Sequence, residues 1–600
     1  MSDGKVPAVM LERAVEAGSR PEKGAQIDSI TLEIYWSRAI AIANEMMETL
    51  IQISFSTVIR VNRDCSAAIF DEQGRMLAQP THSAPGHIGC MPGVMKRILH
   101  DFPVESIQPG DAFITNDPWI GAGHSPDIYI ASPVFYRGHL AGFAVTVAHH
   151  IDIGGRAGPT DSQDVFEEGL LIPLMRLYSA GERNEDLFKV LQANVRLPRI
   201  VFGDLDAQLS ANRLGASRLV EFGEDYGLER FTDVALAVAA ATESGMRAAI
   251  RRVPDGHYRV RQELELHDEK DQPITINLDI HIQGDEATFD YEGTSAQVRR
   301  PVNCVLNYAM SYSVLGLKMM LAPELAYNEG IQRPITVKAP EGTVLNPRRP
   351  APVWRRAVLG MQIPEIVFQA LASAMPDKII ANSGSTPMWL WLYSGLRPGG
   401  KQFVFQTHFM GGLGARYGKD GLPTAAFPYN MTDTPIEILE NGCPVVVHRR
   451  ELSVDSGGAG RYRGGLGQEI SLSPCPATLG YIQGPLKVSF SAGHLRFGPK
   501  GFGGGHAAPP AQVSVSGKAV SDSLMTLNLH EGDKLIMRLP GGGGYHSPFE
   551  RDPQAVWRDV IDGFVSEAAA KAVYGVALLD GGDRVDLQGT EALRRRAGQD

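Results

Sequence analysis

From residue 28 to about 54 the apolar positions Ile30, Ile34, Ile40, Met46, Met47, Leu50 and Ile51 form a long stripe that predicts one continuous amphipathic helix. Asp28 stands where its carboxylate can accept hydrogen bonds from the free amides of the first turn. Beyond it the period shortens. Ser66–Phe70 and Arg75–Ala78 flank the turn Asp71-Glu72-Gln73-Gly74, and Ile128–Phe135 and Leu140–Ala148 flank Tyr136-Arg137-Gly138-His139. Both patterns predict antiparallel hairpins. Helical spacing returns over Leu187–Val195, Ala207–Phe222 and Phe231–Arg252. Strand alternation follows through Tyr258, Val260, Leu264, Ile274–Ile282 and Ala287–Phe289, then helices over Val305–Leu321 and Pro364–Met375. From there to 545 short apolar runs are broken by glycine clusters, and two further helices are predicted at Pro553–Asp562 and Ser566–Tyr574.

Hairpins and helices in separate runs predict an α+β, multi-domain protein with loop-rich mixed β sheets, helical segments and a C-terminal helical pair. Its 600 residues exceed what one hydrophobic core usually serves. The pattern divides into an N-terminal arm (1–26), a region carrying the candidate metal and catalytic residues (27–252), a β-rich region with helices (253–545), and a C-terminal helical segment and tail (546–600). Net charge is −11, the opposite of the basic footprint that a phosphate backbone selects, so nucleic acid is excluded as the main partner. Five cysteines stand singly at 65, 90, 304, 443 and 475, without a CxxC pair, which excludes a structural zinc knuckle and matches a reducing cytoplasm. Asp3, Lys5, Glu12 and Arg13 interrupt the first residues, and no run of about 20 apolar residues occurs. A cytoplasmic protein without a membrane span is the expectation. Arg594-Arg595-Arg596 reads as a solvated tail.

The densest chemistry surrounds the second hairpin. Asn116-Asp117-Pro118-Trp119-Ile120-Gly121-Ala122-Gly123-His124-Ser125-Pro126-Asp127 leads into its first strand, and His149-His150-Ile151-Asp152 leaves its second. In an antiparallel pair those ends are neighbours, so His124, Asp127 and His149 converge although 22 to 25 residues part them. Imidazole and carboxylate are ligands for a borderline divalent cation, and three protein ligands leave positions open for water or substrate. Asp117, His150 and Asp152 stand beside them as catalytic or ligand-holding groups; Asp152 could orient an imidazole through its second nitrogen. His82 and His87 are ordinary loop histidines on one reading; on the other, one of them, with His87 preferred, is an acid–base group near the metal. Asp164, Glu167 and Glu168 read as a solvated helix start. The glycine runs at 411–414, 464–467 and 541–544 read as tight turns, since no P-loop lysine and hydroxyl follow them; nor is there a G-x-S-x-G elbow. The chain is therefore expected to lack a nucleotide site of its own.

These passages resemble the B subunit of the hydantoinase/oxoprolinase family over residues 28 to 576. The likeness extends through Arg63-Asp64-Cys65-Ser66, Gly86-His87-Ile88-Gly89-Cys90-Met91, Asn328-Glu329-Gly330-Ile331, Ala339-Pro340-Glu341-Gly342 and Pro540-Gly541-Gly542-Gly543-Gly544-Tyr545. The resemblance implies a partner, an ATP-binding A subunit of the actin-like ATPase type that phosphorylates an amide or enol oxygen before the B subunit completes the reaction. It also reaches the alpha subunit of acetone carboxylase and acetophenone carboxylase, in which a His-x-x-Asp pattern with a later His holds manganese or zinc. Those positions map onto His124, Asp127 and His149; the threonine usual before the first histidine is Gly123 here.

The expectation is thus the B subunit of a hetero-oligomeric, ATP-dependent enzyme that opens a cyclic amide: a hydantoin, 5-oxoproline or a lactam. It would carry one divalent metal, Zn or Mn, with ATP-Mg bound by the A subunit. A subunit of a ketone carboxylase and a non-catalytic scaffold for the A subunit are the alternatives.

Overall fold

A computed structural model describes residues 27–228, 230–476, 480–579 and 582–597; the predicted arm and the last three residues lie outside them. The chain divides into two compact units, Met1–Gln262 with Thr275–Ala370, and Glu263–Ile274 with Leu371–Asp600. Helices and mainly antiparallel sheets make this an α+β fold. Among the described residues no helix is long and apolar enough to cross a membrane.

The first unit is built on a seven-stranded sheet: β1 (Cys65–Asp71), β2 (Met76–Ala78), β3 (Ala112–Thr115), β4 (Asp127–Tyr136), β5 (His139–His149), β6 (Met175–Ser179) and β7 (Glu182–Arg183), in the order β2-β1-β5-β4-β3-β6-β7. Helices α1 (Ser29–Ile53), α2 (Pro85–Ile88), α3 (Pro198–Tyr226), α4 (Thr232–Ile250) and α5 (Leu306–Leu321) accompany it. Asp28 caps α1 as its position predicts, accepting from Ile30 N at 3.1 Å and Thr31 N at 3.0 Å. Pro198 opens α3, where a proline costs no hydrogen bond, and Gly227 ends it at φ +67°.

Alternation along the strands gives the sheet two different faces. Cys65, Ala67 and Ile69 of β1, and Ala144 and Ala148 of β5, pack with α1, α3 and α4. Ile128 and Ile130 of β4 pack with Val201, Leu205 and Leu209 of α3. Burying each Ile stabilises the fold by roughly 1.5–3 kcal/mol. The intervening residues of β4 and β5, Asp127, Tyr129 and His149 among them, point the other way. A four-stranded sheet follows: β8 (Gly256–His267), β9 (Pro273–Gln283), β10 (Glu286–Asp290) and β11 (Ile335–Lys338), ordered β11-β10-β9-β8 with β11 parallel to β10.

Two sheets organise the second unit. One runs β13 (Gln402–Phe409), β12 (Trp389–Leu396), β16 (Gln483–Ser491), β19 (Leu524–Leu529). The other runs β14 (Val445–Leu452), β15 (Gln468–Pro474), β20 (Leu535–Arg538), β17 (Gln512–Val515), β18 (Lys518–Ala519). Their shared core is aromatic, with Trp391 stacked on Phe490 at 4.4 Å. The glycine runs are not separate turns. They are extended segments hydrogen-bonded to one another: Gly412 N to Pro540 O (3.0 Å), Gly465 N to Leu413 O (2.8 Å) and Gly542 N to Gly465 O (2.9 Å). Backbones this close leave no room for side chains; a Cβ on Gly464 would stand 1.9 Å from Gly542 O.

Helices α6 (Pro553–Ile561) and α7 (Glu567–Ala572) are the predicted C-terminal pair. A hairpin, β21 (Ala577–Leu579) with β22 (Arg584–Asp586), and helix α8 (Leu587–Ala597) come after it. The basic run belongs to a helix: Arg594 donates to Arg551 O at 2.7 Å and to Tyr574 O at 3.2 Å, while Arg595 and Arg596 are exposed, as the solvated reading expects.

Candidate metal centre

Asp127 pairs directly with His149 across β4 and β5, as the hairpin predicts, and both side chains leave the sheet on the face away from α3. His149 N also donates to Asp64 O at 3.0 Å, which brings the start of β1 to the same place. The loop ahead of β4 is pinned by Asn116, whose side chain reaches Ser125 O (2.7 Å), Leu170 O (2.9 Å) and Ile172 N (2.6 Å). Gly123, at φ +89°, turns the loop toward His124, and a Cβ there would come within 2.8 Å of Arg356 Cδ. Glycine is required at that position by both the backbone conformation and the space. His87 arrives on α2; a Cβ on the preceding Gly86 would lie 2.6 Å from the Tyr308 ring, so this glycine lets α2 lie against α5.

Five buried side chains meet here. Asp127 Oδ1 lies 2.8 Å from His124 Nε2, 3.2 Å from His87 Nε2 and 3.3 Å from His149 Nδ1. Asp64 closes the group at 3.6 Å from His87 Nε2 and 3.7 Å from His149 Nδ1. One ligand atom from each of His124, Asp127 and His149 falls within 4.8 Å of the others. Arg356 flanks them, donating to Asp127 Oδ2 at 2.7 Å and to Ala122 O, with its guanidinium 4.3 Å above the Tyr308 ring.

The protonation pattern suits a cation. His124 Nδ1 lies 3.0 Å from Trp354 O and 3.1 Å from the Arg356 guanidinium, which fix the ring with Nε2 turned toward Asp127. Burial, then Arg356, pushes the His124 pKa down to about 3, which keeps the ring neutral. Burial opposes a charge on Asp127, but His124, His87 and Arg356 outweigh it and hold the carboxyl well below its usual range. A neutral imidazole therefore faces an ionised oxygen, and neither His124 Nε2 nor Asp127 Oδ1 has a hydrogen-bond partner among the described residues. Two ligands about 2.1 Å from one ion, at tetrahedral to right angles, stand about 3.0–3.4 Å apart. The 3.3 Å contact of Asp127 Oδ1 with His149 falls in that range and the 2.8 Å contact with His124 lies just below it, so the donor set fits a divalent cation.

A family model described as hydantoinase B/oxoprolinase matches residues 28–548. The chain belongs to this family of enzyme subunits. A protein of Pseudomonas sp. (strain NS671), provisionally named as the B subunit of a D-/L-hydantoinase, is 32% identical over 95% of this chain and 98% of its own length. The beta subunit of caprolactamase from Pseudomonas jessenii is 32% identical over 95% of this chain and 99% of its own. The crystal structure of the ATP-dependent caprolactamase from that organism matches with a TM-score of 0.85 at 29% identity, covering 95% of this chain and 100% of that one. The nucleotide-free acetone carboxylase structure matches with a TM-score of 0.85 at 21% identity, covering 99% of this chain and 86% of that one, a likeness of fold alone.

Within this family fold the remaining candidates separate. His87 joins the cluster. His150 lies on the opposite face of the sheet, its Nε2 3.0 Å from Gln208 Oε1 on α3. Asp152 does not orient an imidazole: it accepts from Gly154 N (3.1 Å), Leu197 N (3.1 Å) and the backbone and guanidinium of Arg196. Asp117 is a clasp, accepting from Trp119 N at 3.0 Å and pairing with Arg349, whose guanidinium lies over the Trp119 ring. His82 has an exposed side chain ahead of α2. Asp164 does cap a short helix, Val165–Glu168, but Glu168 is fully buried, not solvated.

Three residues escaped sequence reasoning about the site. Asp64 stands one residue before a strand whose alternation could have placed it on the face opposite Cys65. Arg356 and Glu168 gave no such signal, because Asp127 and Val353, which they respectively meet, lie 229 and 185 residues away.

Proposed function

We propose that this chain is the metal-dependent B subunit of an ATP-dependent cyclic-amide hydrolase, acting on a substrate that a separate A subunit has phosphorylated. The carrying observation is the buried, partnerless pair of His124 Nε2 and Asp127 Oδ1 beside His149. His124, Asp127 and His149 would hold one divalent ion, Zn or Mn, with Asp64 in reach as a fourth ligand. When bound, the ion supplies Lewis acidity toward an oxygen atom and makes water nucleophilic near neutral pH. Arg356 neutralises the outer oxygen of Asp127 and fixes the carboxylate in one rotamer. His87 lies with Nε2 3.2 Å from Asp127 Oδ1 and with Nδ1 buried and without a hydrogen-bond partner among the described residues, and serves as the acid–base group. Tyr129, two residues beyond Asp127 on the same face of β4, keeps its phenol proton because burial pushes its pKa well above the usual value. The relatives named as subunits support a hetero-oligomer, and the ATP-dependent caprolactamase supports ATP-Mg as the co-substrate on the A subunit.

The test is reconstitution with the A subunit and a panel of hydantoin, 5-oxoproline and caprolactam, set against ketone plus bicarbonate. A cyclic amide alone should stimulate ATP hydrolysis and yield ring-opened product. Asp127→Asn should abolish the product while leaving substrate-stimulated ATP hydrolysis on the partner. ATP turnover that requires ketone and bicarbonate would refute the hydrolase reading, and product formed at the wild-type rate by Asp127→Asn would refute the site.

A further inference from the structure

We propose that Gln208, acting through His150, is a positioning residue that sets the separation of Asp127 and His149. The inference rests on the reading of His124, Asp127 and His149 as metal ligands. Gln208 Nε2 donates to Ile128 O at 2.9 Å, and Gln208 Oε1 lies 3.0 Å from His150 Nε2. His150 N in turn donates to Pro126 O at 2.9 Å. Residue 150, which directly follows His149, is therefore tied to both neighbours of Asp127. Gln208 and His150 are fully buried, so water does not compete for these bonds.

The amide can sit only one way round. A backbone carbonyl accepts and never donates, so the NH2 group must face Ile128 and the oxygen must face His150. That places a proton on His150 Nε2 and selects its tautomer. A helix face packed on a sheet is ordinarily apolar, and three buried polar residues at spacing i, i+4, i+8 depart from that pattern. Asp204 accepts from Phe55 N at 2.7 Å and Ser56 N at 3.1 Å. Asn212 donates to Ile130 O at 3.0 Å and Ser132 Oγ at 3.3 Å. Asn212 thus grips β4 as Gln208 does, but one turn farther from the ligands and with no tie to β5. Of the three, Gln208 alone bridges the two strand ends that carry Asp127 and His149.

Asn212 supplies the matched control. Metal-free full-length chain, Gln208→Leu and Asn212→Leu would each be titrated with Co2+, recording affinity, the visible d–d spectrum and the melting temperature. Gln208→Leu should weaken Co2+ binding by about 10- to 100-fold, the effect typical of groups that orient ligands, and alter the spectrum. Asn212→Leu should lower the melting temperature by a similar amount and leave affinity and spectrum unchanged. Gln208→Glu keeps the acceptor for His150 but sets a carboxylate against Ile128 O, and carries the test if the leucine variant does not fold. Wild-type affinity and spectrum in the Gln208 variants, or an equal loss in Asn212→Leu, would overturn the proposal. A wild-type chain that takes up no Co2+ would overturn the metal reading itself, and this inference with it.

Discussion

Glu168 should make the stability of the first unit depend on pH in a way that one isosteric change removes. Its carboxylate is completely buried, accepting from Ser162 Oγ at 2.8 Å and lying 3.0 Å from Val353 N through both oxygens. Burial raises its pKa from 4.5 to about 7, against the opposing amides of Val353 and Trp354 and the Ser162 hydroxyl. Below about pH 4.5 the folded and unfolded chains both hold this proton. As pH rises toward 7 the unfolded chain releases it first, so folding loses about 1.4 kcal/mol per pH unit and about 3 kcal/mol in all. Glu168→Gln keeps the shape and cannot ionise. Wild type and variant should therefore melt alike at the acidic end of this window, with the variant a few degrees more stable at its neutral end. Scanning calorimetry of the metal-free chain measures this, and every other titrating group cancels in the difference. Parallel pH curves for the two proteins would refute the reasoning. The matter bears on the site because Glu168 holds the Val353-Trp354 backbone, and Trp354 O lies 3.0 Å from His124 Nδ1.

Arg356→Leu should destabilise the chain by about 3–5 kcal/mol, because it leaves Asp127 ionised and unpaired in the interior; an unchanged unfolding midpoint in denaturant would contradict the pairing. Gly542→Ala should cost about 3 kcal/mol or more, since its Cβ would stand 2.1 Å from Leu413 O. Gly93→Ala, in a helix with nothing within 4 Å of the new methyl, should instead be neutral or stabilise by up to about 1 kcal/mol, and melting of the two variants side by side checks both.

Residues close in sequence were legible without the structure. The hairpin β4–β5 follows from period-two alternation around a short turn, and a hairpin necessarily brings Asp127 beside His149. Helix α1 and its Asp28 cap follow from spacing and local capping chemistry in the same way. Neighbouring positions were less safe. His149 and His150 are adjacent and chemically identical, yet strand alternation sends one to the cluster and the other to Gln208 on α3. The glycine runs announced that something had to approach closely, but not that it would be one another.

What the sequence determined by itself is the set of interactions whose partners are near in the chain: strand period, turn, cap, and the His124, Asp127 and His149 convergence. Only the tertiary structure decided the rest. Asp64 and His87 join the cluster because β1 pairs with β5 and α2 packs on α5. Arg356 meets Asp127 across 229 residues, and Glu168 meets Val353 across 185. Such contacts are selected by how whole elements pack, and local pattern carries no record of which distant side chain will complete a buried charge.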